Sequence, residues 1–527
     1  EPNDADRVYK PDGGFLASED AAKSFQSTGD GIHGDVHDLW IDPSNSNEIV
    51  MGDDGGIFYS HDRGNHWWKG ANLPISQFYH VTVDMSVPYH VYGGLQDNSS
   101  WIGDTSYPGG ISNSRWENMY GGDGFCMFED PSDPNYVYAE SQGGYLGRVH
   151  KRTHEVRDIK PRPQKGEKLR FHWNTPVVAS VNERGTIYIG AQFLFRSRDH
   201  GQSWQRISPD LTTNDPSKQK QEESGGITVD NSSAEMHTVI YTIAESPKNR
   251  GMIWVGTDDG NVQVTRDSGK SWTNVTANIA GLPKNSWVSM IEPSHFSDRI
   301  AYATFDRHMD GDFTPWAYKT EDGGTTWKRI VGGGVGPSVD GYALSIREDP
   351  VEKRILYLGT ELGLFISLDA GAHWARFTGG HFPHVAVRDM VIHPRDGDLV
   401  VATHGRGMWI VDDLTPLRAL VAGDVRSKDI AIVDSRPIRQ AIPADGGWVE
   451  GAAAFVGDNP PGDAVITYWQ KKRHIFGPLK IEILDDRGQV VDVLAGSKRR
   501  GLNRVHWSMR GPAPRAPRGA TLAWEAA

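Results

Sequence analysis

The 527-residue chain has a single cysteine, Cys126, so no intramolecular disulfide can stabilise it. It has no run of 18 apolar residues, and we therefore predict no membrane-spanning helix. Long helical stretches of Ala, Leu, Glu and Lys are missing as well. The net charge is −13 and no basic stripe offsets it, which argues against a nucleic-acid partner.

The residues that are abundant favour an all-β fold. The chain contains 60 Gly, 30 Pro and 18 Trp, a composition typical of short strands joined by many turns. Cys126 lies in the apolar string Gly124-Phe125-Cys126-Met127-Phe128, so we interpret it as a buried small hydrophobe. His-Asp neighbours such as His37-Asp38 lack a His-x-His cluster beside them, and we predict neither a metal site nor a cofactor.

One short pattern, Ser/Thr-x-Asp-x-Gly-x-x-Trp, recurs five times. Its copies are Ser60-Asp62-Gly64-Trp67, Ser197-Asp199-Gly201-Trp204, Thr265-Asp267-Gly269-Trp272, Thr320-Asp322-Gly324-Trp327 and Ser367-Asp369-Gly371-Trp374. A decayed copy, Ser18-Asp20-Phe25, precedes them. Each copy follows a short apolar run, so each predicts the turn of a β-hairpin. In such a turn Asp accepts backbone N–H groups, Gly adopts the unusual dihedral and Trp covers the hairpin.

A single hairpin of this kind cannot bury both of its faces. Recurrence at the spacing of a four-stranded unit therefore predicts a repeat array of the β-propeller type. The pattern resembles the Asp-box, also called the bacterial neuraminidase repeat, of sialidases, sortilin-type receptors and two-propeller xyloglucanases. These boxes are structural and occur in enzymes and receptors alike, so the resemblance implies the fold more strongly than the function.

Eight units, each opening on an apolar strand, can be marked between residues 33 and 416. We therefore expect a propeller of eight blades, with seven as the alternative, and equivalent burial of the five box Trp. Residues 1–32 are expected to be the remnant hairpin of a preceding blade or a ring-closing strand. Residues 417–462 are predicted to be a linker. Alternating strands in residues 463–527 resemble an Ig-like β-sandwich that ends early.

Strings outside the boxes resemble large secreted bacterial proteins of the sortilin-amino-terminal-like or glycosyl-hydrolase-like group. They are Gly34-Asp35-Val36-His37-Asp38-Leu39-Trp40-Ile41-Asp42-Pro43, Tyr92-Gly93-Gly94-Leu95-Gln96-Asp97-Asn98, Gly121-Gly122-Asp123-Gly124-Phe125, Gly256-Thr257-Asp258-Asp259-Gly260 and Thr403-His404-Gly405-Arg406-Gly407. The resemblance implies a secreted or periplasmic bacterial protein. It also implies that a first propeller normally precedes this region, so a preceding propeller or another subunit is an expected partner.

The turns between the second and third strands of each unit are unusually polar, and in a propeller they share one face. We expect the site on this face. Its leading catalytic carboxylates are Asp97, Asp123 and Asp258. Its substrate-binding residues are Gln96, Asn98, His37, Trp173, Arg307, Glu361, His404 and Arg406. Each Asp-Gly turn taken singly is equally well explained as a good hairpin turn.

This face of the propeller combines carboxylates, amides, imidazoles and aromatic rings, a set of groups that is typical of a carbohydrate-binding site. The sequence therefore favours a glycan-active or glycan-binding protein, with a glycoside hydrolase as the enzymatic form. The alternative is a non-catalytic, sortilin-like propeller that binds a protein or peptide. A carboxylate pair about 5–10 Å apart would favour hydrolysis.

If a preceding propeller or another subunit covers part of this chain, the aromatic side chains that it would cover should be exposed in the chain alone. Trp68, Trp101 and Tyr107 lie outside the box pattern and are the expected members of such a surface.

Overall fold

The computed structural model describes residues 1–11, 13–223, 231–331, 339–438 and 451–511. The chain divides into two compact units, one formed by Glu1–Asp412 with Asp445–Asp458 and the other by Asp413–Ala444 with Asn459–Ala527. The protein is all-β, and most of its sheets have four antiparallel strands.

Nine sheets follow one another along the first unit, and we number them in chain order. Sheet 1 contains Val8–Pro11, Phe15–Ser18 and Gln26–Ser27; sheet 2 Val36–Ile41, Ile49–Asp53, Gly56–Ser60 and Trp68–Lys69; sheet 3 Thr82–Val83, His90–Gly94, Ser100–Asp104 and Trp116–Tyr120; sheet 4 Gly124–Glu129, Tyr136–Ser141, Tyr145–His150 and Val156–Asp158; sheet 5 Val177–Ala179, Ile187–Gly190, Leu194–Ser197 and Gln205–Arg206.

The remaining sheets continue the series. Sheet 6 contains Ile240–Glu245, Ile253–Thr257, Val262–Thr265 and Thr273–Asn274; sheet 7 Trp287–Pro293, Ala301–Arg307, Asp312–Thr320 and Lys328–Arg329; sheet 8 Ala343–Glu348, Leu356–Thr360, Gly363–Ser367 and Ala375–Arg376; sheet 9 Ala386–Ile392, Leu399–His404 and Met408–Val411. A small extra ladder pairs Ile111–Ser112 with Val456–Gly457. Each sheet except sheet 3 is a meander of consecutive strands, because short turns join antiparallel neighbours. In sheet 3 the strand Ile111–Ser112 intervenes before Trp116–Tyr120.

Helical structure is minor among the described residues. The α-helix is Thr415–Ala422, and the single 3₁₀ turns are Asn113–Arg115, Gln142–Gly144, Pro216–Lys218, Gln221–Glu223, Thr276–Asn278, His308–Asp310, Gly379–His381, Val425–Ser427 and Gly451–Ala453. None of the helices in the described ranges has the length and apolar character to cross a membrane.

Burial explains why the middle strands read as continuous apolar runs. Every residue of Ile187–Gly190, Ile253–Thr257 and Leu356–Thr360 is buried, since a neighbouring sheet covers each face. The outer strands are two residues long in most sheets and mainly exposed. The core is therefore a series of slabs between adjacent sheets rather than one central mass.

The recurring motif forms the same hydrogen-bond network in all five copies, at the turn between the third and fourth strands. In the first copy Ser60 Oγ donates to Asp62 Oδ1 (3.0 Å) and accepts from Gly64 N (2.8 Å), and Asp62 Oδ1 also accepts from His66 N (2.9 Å). The other four copies repeat these three bonds. The decayed copy keeps them through Ser18 and Asp20.

The Trp of the motif joins its own sheet to the sheet before it. The indole N–H groups of Trp67, Trp204, Trp272 and Trp374 donate to the carbonyls of Thr28, Ile159, Ile207 and Ile330. Trp327 differs, because its ring packs edge-on against Trp254 with centroids 5.9 Å apart and its N–H has no partner among the described residues. Trp327 and Trp374 are buried and the other three are partly buried, so the burial is similar but not uniform.

Further side-chain bonds connect consecutive sheets from sheet 3 onward. They are Thr82 Oγ1 to Met127 O (2.6 Å), Thr175 N to Glu140 Oε1 (3.3 Å), Ser180 Oγ to Glu245 Oε2 (2.6 Å), Asn278 Nδ2 to Gly324 O (2.8 Å), Ser294 Oγ to Glu348 Oε2 (2.8 Å) and Ser345 Oγ to Val387 O (3.1 Å). Each sheet in this part of the chain is therefore fixed to the next by polar contacts as well as by apolar packing.

Sheet 9 contacts sheet 3, although more than 250 residues separate them along the chain. Phe78 N donates to Thr403 O (3.0 Å), and Gln77 and His404 form an isolated antiparallel bridge. Nδ1 of His80, which precedes the first strand of sheet 3, lies 3.2 Å from Oδ2 of Asp389 on the first strand of sheet 9. Just after the first strands of these two sheets, His393 Nε2 lies 2.9 Å from Asp84 O. The last sheet of the series thus packs on sheet 3 rather than on sheet 2.

Sheets 1 and 2 pack on each other. Phe15 of sheet 1 meets Trp67 edge to face with centroids 5.3 Å apart, and Trp67 donates to Thr28 O. Residues 14–28 therefore form a hairpin beside sheet 2, paired with Val8–Pro11. Sheet 2 contacts sheet 3 through turn residues, since Asn98 of sheet 3 donates a hydrogen bond to the carbonyl of Asp54 of sheet 2.

The second unit contains two antiparallel sheets. One is formed by Ile430–Val433, Ala464–Gln470 and Gly501–Trp507, and the other by Leu479–Leu484 and Val490–Gly496. The segment expected to be a linker contributes the helix Thr415–Ala422 and the strand Ile430–Val433, so its first part is folded structure. Its residues 439–450 lie outside the described ranges, as do residues 512–527.

The expected partner surface is exposed in part. Trp68 is 52% exposed and Tyr107 38%, whereas Trp101 is half-buried and donates to Asn98 O. Trp40, which the sequence did not single out, is 55% exposed on the first strand of sheet 2. Phe25 and Tyr59 add exposed aromatic area to sheets 1 and 2.

The Trp–carbonyl link predicts a clear stability difference between two Trp substitutions. Trp374→Ala removes a side chain that is 3% exposed and hydrogen-bonded to Ile330 O, and should lower the free energy of unfolding by about 3–5 kcal/mol. Trp68→Ala, at a 52% exposed site, should change it by less than about 1 kcal/mol. Urea unfolding followed by circular dichroism measures both, and equal losses would contradict the assignment.

Candidate functional site

The first strand of several sheets carries a β-bulge near its start. The pairing register shifts there in sheets 2, 6, 7, 8 and 9 and leaves one residue without a pairing partner in each. These residues are His37, Tyr241, Ser289, Leu344 and Arg388. Because a bulge re-aims a side chain, these strands offer one residue each outside the strict in–out alternation.

The turn that carries Asp97 is held tightly against sheet 4. Asp97 adopts a left-handed φ of 57°, and its N–H donates to Asp123 Oδ1 at 2.6 Å. Asp123 N donates in turn to Gln142 Oε1 (2.8 Å). Gly94 allows this approach, since a Cβ there would lie 2.1 Å from the carbonyl carbon of Gly124. Asp97 and Asp123, two of the predicted carboxylates, are therefore neighbours.

Sheet 2 and the loop before it contribute polar groups to the same place. His33 Nε2 lies 3.0 Å from Asp97 O, and Asn98 Nδ2 donates to Asp54 O (2.9 Å). Asp54 Oδ1 lies 2.5 Å from Nε2 of His37. The predicted residues His37 and Asn98 therefore stand beside Asp97, and Asp54 joins them.

The electrostatics of this cluster favour a protonated Asp97. Burial, together with the interaction with Asp123 and the charge of Asp54, raises the pKa of Asp97 to about 6. The hydrogen bond with Asp54 raises the pKa of the exposed His37 imidazole. The cluster thus holds one carboxyl, that of Asp97, whose raised pKa lets it keep its proton in mild acid, beside the side chains of Asp123 and Asp54.

Gln96 and His404 adjoin this cluster through Tyr79. The Tyr79 hydroxyl donates to Gln96 Oε1 (2.6 Å), and the Tyr79 ring lies 4.5 Å from Phe125 and 5.8 Å from His404 between centroids. Burial raises the pKa of Tyr79 to about 12 and lowers the pKa of His404 to about 4. Both side chains are therefore neutral at physiological pH and can act only as hydrogen-bonding groups.

Asp258 has a different environment from the other two predicted carboxylates. Its side chain is buried, its Oδ1 accepts from Val239 N (2.9 Å), and His237 Nδ1 lies 2.9 Å from its Oδ2. Burial raises its pKa. None of the contacts seen among the described residues joins Asp258 to Asp97 or Asp123, so the structure does not bring the predicted trio together.

The remaining predicted residues are spread around the ring of turns. Arg307 is held by Asp310, Asp312 and Lys284 O, and is thereby committed to its own turn. Glu361 N donates to Tyr342 O (3.1 Å), and Arg406 is exposed. Trp173 O accepts from Gly143 N (3.0 Å). These residues share the polar turns but not the Asp97 cluster.

Three residues of the cluster were not selected from the sequence: Asp54, His33 and Tyr79. The Asp53-Asp54-Gly55 turn and the histidines near it were visible signals, but nothing in the sequence brings sheet 2 close to Asp97. Within the described ranges, no group of three or more His, Cys, Asp or Glu side chains is arranged to hold a metal ion.

Comparison with known proteins gives weak sequence similarity. No family model matches the chain. It is 23% identical over 268 residues to an oligoxyloglucan-reducing end-specific xyloglucanase of Emericella nidulans, covering 45% of this chain and 31% of that protein. It is 38% identical over 103 residues to vacuolar protein sorting/targeting protein 10 of Laccaria bicolor, covering 19% of this chain and 6% of that protein. The chain therefore spans less than a third of the length of either relative.

Solved structures show low overall similarity. The GH74 enzyme of Niastella koreensis matches with a TM-score of 0.26 and 15% identity, covering 77% of this chain and 73% of that one. The extracellular domain of a putative hybrid two-component system from B. thetaiotaomicron matches with a TM-score of 0.43 and 12% identity, covering 82% of this chain and 54% of that one.

The environment of Asp97 predicts an unusual titration. Asp97 should titrate with a pKa of about 6, and Asp123→Asn should lower that pKa because it removes a neighbouring negative charge. NMR titration of protein labelled at the Asp side-chain carboxyls measures this shift. Asp486→Asn, at an exposed hairpin turn, is the matched control and should leave the Asp97 titration unchanged.

Proposed function

We propose that the protein is a glycoside hydrolase-like, polysaccharide-active propeller that works at the Asp97 cluster. The observation that carries this proposal is a carboxyl with a raised pKa next to Asp123 and close to the His37–Asp54 pair. A general acid for glycoside hydrolysis needs a pKa near the working pH, and it needs an ionised carboxylate as its companion. The sequence similarity to xyloglucanases supports the same class of activity.

In this proposal the chain's own residues divide the work. Asp97 donates a proton to the leaving glycosidic oxygen, and Asp123 keeps that proton on Asp97 until the substrate arrives. Asp54, aligned by His37, is the companion carboxylate that assists the attacking water or stabilises positive charge on the sugar. Gln96, Asn98 and the neutral His404 offer hydrogen bonds for sugar hydroxyls. Asp258 has no part in the chemistry, because it is buried beside His237.

The architecture that supports this site is a ring of seven blades, formed by sheets 3 to 9. The contacts between sheet 9 and sheet 3 support closure of the ring at this point, with sheets 1 and 2 outside it as blades that contribute His33, His37 and Asp54. The repeated turns serve as Asp-boxes. We further propose a bacterial origin and a secreted or periplasmic location, as the resemblance to secreted proteins implies.

A sortilin-like binding protein is the second candidate. Asp123 and Asp258 are both nearly inaccessible and engaged in hydrogen bonds, as expected for structural acids around a binding surface. The 38% identity to a vacuolar sorting protein over 103 residues also favours this alternative. Its ligand would be a protein or peptide.

Hydrolysis is tested with a polysaccharide panel that includes xyloglucan oligosaccharides, assayed for new reducing ends. Asp97→Asn should lower the rate by about 10²–10⁴-fold, since it removes the general acid. Because the acid works while protonated, activity should fall as the pH rises through about 6. Asp123→Asn should shift this fall in activity to lower pH, and Asp486→Asn should leave the pH profile unchanged.

If no polysaccharide of the panel is hydrolysed and the protein binds a peptide tightly, the sortilin-like alternative is favoured. Product formation that persists in Asp97→Asn would assign the chemistry to another carboxylate. The pH at which activity falls separates a catalytic role of Asp97 from a structural one. If these residues were only structural, Asp123→Asn would lower activity without shifting that pH.

Ring closure predicts a disulfide between distant positions. Gln77 and His404 face each other in an antiparallel bridge, so Gln77→Cys with His404→Cys should oxidise readily. Peptide mapping of the oxidised protein should find these two positions linked. Gln77→Cys with Lys248→Cys, at an exposed turn of sheet 6, is the control and should stay reduced. An unlinked Gln77–His404 pair would contradict the ring.

A further inference from the structure

Arg388, on the first strand of sheet 9, has a guanidinium for which the described residues provide no hydrogen-bonding or ion-pair partner. It is the bulged residue between Val387 and Asp389. Its side chain is partly exposed, while its Nε is buried and has no hydrogen-bond partner among the described residues. No ion pair joins Arg388 to a carboxylate in the described part of the chain. A buried, unsatisfied N–H of a charged group is costly and marks a place where a ligand can bind.

Two carboxylates of this region, Asp389 and Asp306, are bound to other residues. The neighbouring Asp389 accepts from Arg347 Nη2 (2.8 Å) and lies 3.2 Å from His80 Nδ1. Asp306 accepts from His308 N and lies 2.7 Å from its Nδ1. Neither of these two carboxylates is paired with Arg388 in the described part of the chain.

Neutral rings lie near this charge: His404 belongs to the strand that pairs with the strand of Arg388, and its ring centroid lies 5.8 Å from that of Tyr79. Burial raises the pKa of Tyr79, Tyr241 and Tyr342, and the Arg388 charge opposes the rise in each. Burial lowers the pKa of His404, and Arg388 lowers it further; the buried Nδ1 of His404 has no partner among the described residues. Each of these four groups is thus close enough to Arg388 to feel its charge.

Several of these rings have fixed orientations. His308 stacks on Tyr342 with centroids 4.7 Å apart and planes at 17°, and Tyr241 meets Trp287 edge to face at 4.9 Å. Rigid rings of this kind suit the apolar face of a pyranose. A guanidinium among them suits a carboxylate, which it can hold through two parallel hydrogen bonds.

We infer that Arg388 and the rings around it bind the carboxylate of an acidic sugar, a uronic acid unit of the polysaccharide. Arg388 pairs with the carboxylate, His404 Nδ1 bonds to a hydroxyl or to the carboxylate, and the rings pack against the sugar. Tyr79 connects this place to the Asp97 cluster through its hydrogen bond to Gln96. The inference rests on the proposed carbohydrate function and names its substrate class.

Calorimetric titration with two matched ligands tests the inference: an oligogalacturonate and the same oligosaccharide with its carboxyls reduced to alcohols. The wild-type protein should bind the acidic ligand at least about tenfold more tightly, the value of one charge-assisted pair. Arg388→Gln should remove that preference and leave binding of the neutral ligand unchanged. Arg354→Gln, whose exposed guanidinium pairs with Glu352, is the control and should keep the preference.

Equal affinity of the wild-type protein for both ligands would overturn the inference, as would an unchanged preference in Arg388→Gln. Competition by a short peptide with a free C-terminal carboxylate, at an affinity equal to that of the sugar acid, would overturn it in favour of a peptide site. A thermal unfolding curve like that of wild type confirms that Arg388→Gln is folded. Binding by Asp97→Asn separates the two proposals, because loss of hydrolysis there leaves the uronate preference intact.

Discussion

The link between neighbouring sheets is the interaction on which the rest of the structure depends. An isolated four-stranded sheet exposes two apolar faces, and this chain has no disulfide to compensate. The Ser/Thr–Asp network shapes each box turn so that the following Trp reaches the previous sheet, where four of five indoles donate to a carbonyl. Four of the sheets that carry the motif are thereby bonded to their predecessor, and sheet 7 is joined to sheet 6 by the packing of Trp327 on Trp254.

The site depends on the same arrangement. Asp97 and Asp123 belong to consecutive sheets, and they meet because Gly94 lets the two backbones approach closely. The raised pKa of Asp97 follows from that proximity, since a second carboxylate and partial burial both disfavour its ionised form. His37 and Asp54 come from a third sheet. Three sheets must therefore pack correctly before the cluster exists.

The sequence predicted the repeated sheets well, because the box turn is a local structure with a clear residue signature. The apolar string Gly124-Phe125-Cys126-Met127-Phe128 forms most of the first strand of sheet 4, Gly124–Glu129. The sequence could not predict that sheet 9 contacts sheet 3 rather than sheet 2, because both candidates follow the same local pattern. It grouped Asp258 with Asp97 for a similar reason: equivalent turn positions do not reveal which side chains become buried.

The bulges near the start of the first strands have a consequence for how such proteins diversify. The bulged residue stands outside the in–out alternation of its strand, so its side chain need not follow the apolar pattern of its neighbours. In this chain the positions hold Tyr241, Ser289, Leu344 and Arg388, which differ in charge, size and polarity. One scaffold can thus present different groups to a ligand by exchanging a few residues, and a combinatorial library at these positions would sample new specificities.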